Sequence, residues 1–296
     1  MAQSGYAGDA NRITRDYLDS LLIEMRHIGA KLPETGFSLF GQAFSTPVMT
    51  AALSHLKGRD GSGMVQMAQG CALANAVCFA GMGDERELGA MIATGAKVIK
   101  IIKPYADREM IISRLNYAKK AGAFAVGMDL DHTFDSAGRH DLVLGLPMAP
   151  LSEAELRELI ALAGLPFIFK GVLSVRDAQK AANLGAGGIV VSHHHGILPF
   201  AVPPLMVLPD IVKAAQRRLK IFVDCGLNDG YDVFKALALG ADAACVGRVI
   251  MEPLQEMGAE GVRETIERMT RELAGAMART ACGTLADLEP GLIWKR

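Results

Sequence analysis

Eight short runs of apolar and β-branched residues recur along the chain, and each is followed by a longer segment with the periodicity of an amphipathic helix. Such alternation is typical of βα units on a parallel sheet. Eight units predict a (β/α)8 barrel, an α/β fold that averages about 250 residues. We therefore expect residues 1–296 to form a single barrel domain. The predicted strands cover residues 46–51, 76–80, 98–102, 124–129, 167–171, 188–192, 221–225 and 243–247.

Boundary signals mark several of the connecting segments. Ser152 stands three residues before Glu155, which predicts a capping box, while Ser174 begins the next helix and Gly185 ends it. The remaining length predicts an N-terminal cap segment over 1–45, with a helix at roughly 11–29, and a long C-terminal helix at roughly 252–281. Residues 130–150 connect strand four to its helix, and loops of this length are usually functional. We expect them to form an active-site lid.

Composition excludes several classes of partner. The chain carries 31 basic and 32 acidic residues, so no net field favours nucleic acid or an anionic membrane. The five cysteines form no CxxC pair, which suits reduced thiols better than a disulfide framework. No segment offers the ~20 uncharged apolar residues of a membrane helix. These features predict a cytoplasmic protein with a small-molecule substrate.

Polar residues close several of the predicted strands. Chemistry in (β/α)8 barrels takes place at the carboxyl ends of the strands, where these side chains converge. Ionisable groups are costly to bury there unless they pair with each other or with a ligand. The sequence therefore predicts a polar site formed by Asp129, Lys170, Ser192, Asp224 and Arg248.

The last third of the chain resembles a known family. "FKGVLSVRDAQKAANLGAGGIVVSHHHG" and the following "IFVDCGLNDGYDVFKALALGADAACVGR" are similar to the FMN-dependent α-hydroxy-acid oxidases and dehydrogenases, and "FSTPVMTAALSH" and "GRHD" match it more weakly. The resemblance implies a (β/α)8 barrel that binds FMN and oxidises a small 2-hydroxy acid. It also implies a homo-oligomer, a tetramer or a similar assembly.

Matched residues imply how the flavin is held. Gly226 and Gly247 allow backbone N–H groups to approach a phosphate, and Arg248 can add a charge-assisted bond. By the resemblance, Asp224 accepts hydrogen bonds from ribityl hydroxyls, and Lys170 lies beside the flavin N1 and O2. The other cofactor-binding residues that the match implies are Thr50, Ala51, Ala52 and Ser192.

The histidine run carries the catalytic expectation. In the family the segment reads Ser-Asn-His-Gly-Gly-Arg, which places His194 at the catalytic base and Asp129 at the carboxylate that orients it. His193 and His195 depart from this pattern, and Ile197 stands where an arginine binds the substrate carboxylate. Further departures are Cys225 for a glycine, Asn228 for an arginine, Ile101 for a glutamine and Lys103 for a tyrosine.

A new cation compensates for the lost arginine in our hypothesis. Alternation along strand three places Ile101 and Lys103 on one side and Lys100 on the other. Lys103 would then lie in the substrate pocket, and Arg139 on the lid matches a second family arginine. We expect Lys103, Arg139 and His194 to bind the substrate.

Other functions stay open at this point. The departures also suit a flavin-binding or regulatory barrel with little catalysis, and the phosphate end resembles the type 2 isopentenyl diphosphate isomerase. Adjacent residues on an extended chain point in opposite directions, so three consecutive histidines rarely share a metal. No metal is predicted, and one would require His55, His132 or His140 to join the run.

Overall fold

A computed structural model describes residues 6–58 and 60–296, so the first five residues of the predicted cap segment 1–45 lie outside the described residues. Eight parallel strands in these ranges form a closed barrel in chain order, because the eighth strand pairs with the first. This confirms the predicted (β/α)8 fold. The strands are β1 (Val48–Leu53), β2 (Val77–Ala80), β3 (Lys97–Ile102), β4 (Ala125–Asp129), β5 (Phe167–Val172), β6 (Gly188–Val191), β7 (Lys220–Val223) and β8 (Ala243–Val246).

Side chains fill the barrel interior. Phe79 and Phe222 pack edge to face at 5.6 Å between ring centroids, surrounded by buried aliphatic residues from the other strands. A hairpin of two short strands, Phe37–Leu39 and Gln42–Phe44, lies across the amino ends of the barrel strands, where Phe44 contacts Phe124. The interior is therefore closed at that end, and a site is left only at the carboxyl ends of the strands.

The helices surround the barrel. Ser152 and Glu155 form the predicted capping box, Ser174 caps the next helix, and Gly185 ends it in the left-handed conformation at φ 88°. The helices of the described ranges are α1 (Ala10–Ser20), α2 (Gly63–Leu73), α3 (Glu85–Ala93), α4 (Arg108–Ala121), α5 (Glu153–Ala163), α6 (Val175–Leu184), α7 (Pro204–Ala215), α8 (Gly230–Ala238), α9 (Met251–Met257) and α10 (Ala259–Arg279). None of these has both the length and the apolarity that crossing a membrane requires.

Two helices differ from the sequence expectation. The N-terminal helix does not continue to residue 29, because Leu21–Ile23 leaves α1 as a strand and pairs antiparallel with Ile293–Lys295. The C-terminal helix is not continuous, because Gly258 lies between α9 and α10 with φ 63° and ψ −136°. A residue in that conformation cannot extend the α-helical hydrogen-bond ladder. The predicted end of the N-terminal helix was therefore wrong, whereas the C-terminal helical segment has nearly its predicted outer bounds and differs only in the break at Gly258.

The loop expected to act as a lid follows β4 at the carboxyl end of the barrel. It contains a small hairpin, Leu142–Val143 with Leu146–Pro147, and an isolated bridge between Phe134 and His140. A second bridge joins Tyr105, after β3, to Met148. The loop is thus ordered by its own backbone pairing and is attached to the barrel rim at its far end.

Candidate functional site

Three ionisable side chains, those of Asp129, Lys170 and Asp224, meet at the carboxyl ends of neighbouring strands, and Ser192 lies beside them. Asp129 ends β4, Lys170 lies in β5, Ser192 follows β6 and Asp224 follows β7. They are 3%, 4%, 1% and 6% exposed. Parallel strands in register bring these positions together, since Asp129 pairs with Lys170 across the β4–β5 ladder. The barrel itself therefore assembles this cluster.

Opposite charges compensate for burial of the cluster. Lys103 Nζ lies 2.8 Å from Asp129 Oδ2, and Lys170 Nζ lies 3.3 Å from Asp129 Oδ1 and 4.0 Å from Asp224 Oδ2. Burial alone would raise the pKa of Asp129, but Lys170, Lys103 and His194 outweigh it and hold that pKa below its usual range. Likewise, burial opposes the charge of Lys170, yet Asp129 and Asp224 raise its pKa above the ordinary value. Asp129 is thus an anion and Lys170 a cation at neutral pH.

The histidine run forms a turn in which the three side chains take different directions. His194 and His195 have positive φ angles of 47° and 58°, so the backbone is not extended there. His193 is buried, accepts a hydrogen bond from Gly196 N and contacts Thr14 Oγ1 at 2.8 Å through Nε2. His195 Nδ1 contacts Asn11 Oδ1 at 2.8 Å. His193 and His195 therefore attach helix α1 to the barrel.

Helix α1 also reaches the loop after β7. Arg15 forms two hydrogen bonds to the buried carboxylate of Asp232, at 2.7 and 3.0 Å, and donates a third to Gly226 O. Asp232 in turn accepts a bond from the backbone of Asn228. This contribution of α1 could not be predicted, because a single Arg15 in a polar helix is no local signal of it.

His194 points into the site. Its Nδ1 lies 2.9 Å from Asp131 Oδ1, 3.1 Å from Lys170 Nζ and 3.6 Å from Asp129 Oδ1. Its Nε2 lies 3.2 Å from Nε2 of His132. Asp131 and His132 were not among the predicted site residues, although they follow Asp129 directly in the sequence. Their position depends on how the loop turns after β4, which the strand pattern does not specify.

One cavity of about 420 Å³ lies between helices α5 and α6 and the start of the loop after β4, where Asp131 lines it, and a second one, of about 400 Å³, opens beside Lys170 and Asp224. The second cavity is bounded by Ala51, Ala52, Lys170, Asp224, Gly226, Gly247 and Arg248, together with His194 and His195. All of these except His195 are predicted site residues.

Two predicted cofactor residues do not line this cavity. Thr50 Oγ1 is buried in the barrel wall, where it accepts a hydrogen bond from Phe79 N at 3.1 Å. Ser192 Oγ accepts a bond from His194 N at 3.0 Å and so stabilises the turn that carries the histidine. Both side chains thus stabilise backbone next to the cavity and do not line it.

The far end of the cavity is suited to a phosphate. Gly226 has φ 81°, where a side chain would be strained, and the exposed guanidinium of Arg248 makes no hydrogen bond or ion pair with the residues that the structure describes. Cys225, which stands where the family has glycine, adopts φ 70°. Burial and the neighbouring Asp224 raise the pKa of its thiol to about 12, so this thiol is protonated. The uncharged loop formed by Cys225 and Gly226 lies beside the Arg248 guanidinium, so this end of the cavity can bind an anionic group.

The two remaining substrate candidates lie apart. Lys103 is buried against Asp129, whereas the Arg139 side chain is 79% exposed and bonded to Asp135 within the loop. Ile197, in place of the family arginine, is partly exposed beyond the histidine turn. The structure thus brings Lys103 to Asp129, which also lies 3.6 Å from His194, and it does not bring Arg139 there.

Comparison with known proteins identifies the class. The chain matches the family of FMN-dependent dehydrogenases over residues 3–152 and 146–295, and it belongs to this family. An L-lactate oxidase from Roseobacter sp. (strain GAI101) is 42% identical over 146 residues, covering 49% of this chain but only 39% of the oxidase. Glycolate oxidase 3 from Arabidopsis thaliana is 28% identical over 305 residues, covering 90% of this chain and 81% of the plant protein.

Solved structures agree with this assignment. A mandelate oxidase bound to 3,3-difluoro-2-hydroxy-3-phenylpropionic acid superimposes with a TM-score of 0.88 and 26% identity, over 100% of this chain and 92% of that one. FMN is the cofactor of the family, and the cavity fits it. Gly226, Gly247 and Arg248 would hold the phosphate, Asp224 the ribityl chain, and Ala51, Ala52 and Lys170 the ring.

Proposed function

We propose that the chain oxidises a small 2-hydroxy acid, with bound FMN supplying the hydride acceptor. The observation that carries this proposal is the position of His194, between the carboxylates of Asp129 and Asp131 and at the wall of the flavin cavity. The relatives named above as lactate, glycolate and mandelate oxidases support the substrate class.

His194 is the proton acceptor in this proposal. In this proposal Nδ1 carries the hydrogen and donates it to the carboxylate of Asp131 at 2.9 Å, which is nearer to Nδ1 than the Lys170 ammonium at 3.1 Å. Nε2, which faces Nε2 of His132 at 3.2 Å, then has the lone pair that can take the substrate hydroxyl proton. Asp129, at 3.6 Å, adds a second negative charge that stabilises the imidazolium once it forms.

Lys170 supplies a fixed positive charge at the cavity. It is buried between Asp129 and Asp224, so its ammonium cannot turn away into solvent. Its charge would stabilise the negative charge that the flavin ring gains on reduction.

Substrate orientation is assigned to Lys103 and to the segment 130–150, which we propose acts as the lid. Lys103 uses one of its three N–H donors on Asp129, and the others can contact a carboxylate. Arg139 would reach the same carboxylate only if the lid closes. Because a lysine is a point charge and not a bidentate fork, substrate orientation should be looser than with the family arginine.

The proposal is tested with the purified protein. Mass spectrometry of the released chromophore should identify FMN, and anaerobic mixing with a panel of 2-hydroxy acids should bleach the flavin. His194→Gln should slow bleaching by about two to four orders of magnitude, the usual contribution of a general base, with FMN still bound. His195→Gln, on the same turn but bonded to Asn11, is the control and should have a much smaller effect.

Two outcomes would overturn the assignment. Finding FAD, or no flavin after reconstitution, would remove the basis for an FMN enzyme. If His195→Gln were inactive and His194→Gln nearly normal, the base would be a different residue of the run.

We also propose a cytoplasmic homo-oligomer. All five cysteines are free in the structure and four of them are buried, which suits a reducing compartment. Leu198 and Phe200, beside the histidine turn, are 64% and 65% exposed, as expected of residues that an assembly covers. Light scattering should give the mass of a tetramer or a similar assembly, and a monomer at micromolar concentration would contradict this.

A further inference from the structure

The contact between His132 and His194 is not explained by the oxidation. The two rings meet edge to face, with centroids 4.3 Å apart, planes at 84° and Nε2 atoms 3.2 Å apart. One ring comes from the lid segment and the other from the turn after β6. The two side chains are 21% and 23% exposed, so a small ligand can reach them from solvent.

Hydrogen bonds at the opposite side of each ring determine what these two nitrogens carry. His132 Nδ1 lies 3.0 Å from Asp141 Oδ2, and His194 Nδ1 lies 2.9 Å from Asp131 Oδ1. A carboxylate accepts hydrogen bonds, so it favours the tautomer with hydrogen on Nδ1 in each ring. Both Nε2 atoms then present lone pairs to each other, which requires a positive group between them.

The separation matches two ligands of one metal ion. Two nitrogens bound at 2.0–2.1 Å to a tetrahedral ion lie about 3.3 Å apart, close to the observed 3.2 Å. Asp131 lies on the opposite side of the His194 ring, where its Oδ1 holds Nδ1 at 2.9 Å, so its carboxylate orients this ring as Asp141 orients His132. We propose that His132 and His194 bind a divalent transition-metal ion through their Nε2 atoms, with water in the remaining positions.

Zn²⁺ is the ion that this donor set suits best. Imidazole nitrogens suit Zn²⁺, which is usually tetrahedral, so two of its four positions stay open for water or another small ligand. Asp141 behind His132 completes the arrangement, since metal-bound histidines usually donate their other N–H to a carboxylate that fixes the ring. The other two histidines of the run, His193 and His195, do not bind this metal, because their side chains point to α1.

Metal binding has a defined consequence for the proposed oxidation. The lone pair of His194 Nε2 that would accept the substrate proton is the one that the metal occupies. Zn²⁺ therefore inhibits flavin reduction, and a chelator restores it. This inhibition rests on the proposed function, whereas the binding of the metal does not.

The experiment uses the FMN-loaded protein. The stripped protein is dialysed against Zn²⁺ or Co²⁺ and desalted, the metal content is measured by elemental mass spectrometry, and Co²⁺ is also followed by its visible bands beyond the flavin absorption. We expect one metal per chain. His132→Ala should lose the metal, and Asp141→Asn should weaken binding by about 10- to 100-fold. His140→Ala, on the same lid but packed on Phe134, is the matched control and should keep it.

The outcomes separate the two proposals. Equal metal content in wild type and His132→Ala, or none in wild type, would overturn the site, and a proton shared by the two rings would then explain their contact. Metal that binds without slowing flavin reduction would overturn the inhibition. Failure of every 2-hydroxy acid to bleach the metal-free flavin would overturn the proposed oxidation and leave the metal site standing.

Discussion

Replacing Lys103 by methionine removes one charge of the buried cluster at similar side-chain volume. At an effective dielectric constant of about 20, Lys103 at 2.8 Å and Lys170 at 3.3 Å attract Asp129 by about 6 and 5 kcal/mol, before desolvation is counted. Lys103 thus supplies about half of the attraction that offsets the burial of the Asp129 carboxylate. Removing the only partner of a buried charge lowers the free energy of unfolding by roughly 3–5 kcal/mol. Because Lys103 is one of two partners of Asp129, we expect about half of that loss, about 2 kcal/mol.

This loss can be measured as a change in melting temperature. The unfolding entropy is about 2.1 cal/mol/K per residue, which over 296 residues gives about 0.6 kcal/mol/K and a fall of about 3 °C. Calorimetry of the FMN-loaded protein measures it. The matched control is Lys100→Met, on the opposite face of β3, where burial makes the charge unfavourable. Its removal breaks only the hydrogen bond that Nζ donates to Gly81 O, so the melting temperature should fall less than in Lys103→Met.

The same variant tests substrate binding. We expect Lys103→Met to bind 2-hydroxy acids and carboxylate inhibitors more weakly, with little change in FMN content. An unchanged melting temperature would refute the electrostatic reasoning. Unchanged inhibitor affinity would refute the substrate role of Lys103 and favour an uncharged substrate.

The two remaining predictions concern the phosphate loop and the outer face of β3. Gly226→Ala should weaken FMN binding by about ten-fold. A left-handed backbone costs an alanine about 1–2 kcal/mol and its Cβ would lie 3.2 Å from Thr14 Cγ2, so the loop should relax in the apoprotein and regain the strained shape only when it holds the phosphate. Titration of apoprotein measures this, and Gly95→Ala, at a similar φ of 89°, controls for strain away from the cavity. Burial lowers the pKa of Lys100 to about 8, so the unfolded chain binds more protons above that pH and stability should rise by about 2 kcal/mol between pH 8 and 10. Urea unfolding of wild type and Lys100→Met at pH 8 and pH 10 measures this rise. The same change in unfolding free energy between the two pH values in both proteins would contradict the prediction.

The barrel could be predicted because its signals are local. Each strand is a short apolar run, and the caps at Ser152, Ser174 and Gly185 lie within a few residues of the helices they bound. The end of α1 could not be predicted, because Leu21–Ile23 becomes a strand only by pairing with Ile293–Lys295 at the other end of the chain. Pairing between segments so far apart in the sequence produces no hydrophobic periodicity in either of them.

The site residues also fall into those that the sequence could indicate and those that it could not. Asp129, Lys170 and Asp224 close strands, so the barrel register brings them together and the sequence could indicate them. Asp131 and His132 lie beyond a strand end, where the direction of the chain depends on contacts with the lid. The expectation that the histidine run is extended was wrong for a related reason, since the positive φ angles at His194 and His195 accompany its contacts with α1.

The attachment of α1 also sets an order of events during synthesis. Thr14 meets His193 across 179 residues, and Arg15 meets Asp232 across 217. Chains emerge from the ribosome amino end first, and long-range contacts form late because closing a long loop is entropically costly. Helix α1 is therefore made before the barrel but can dock only after β7 and its loop have emerged. The turn that carries His194 reaches its final shape only at that point, so the site is among the last parts of the molecule to form.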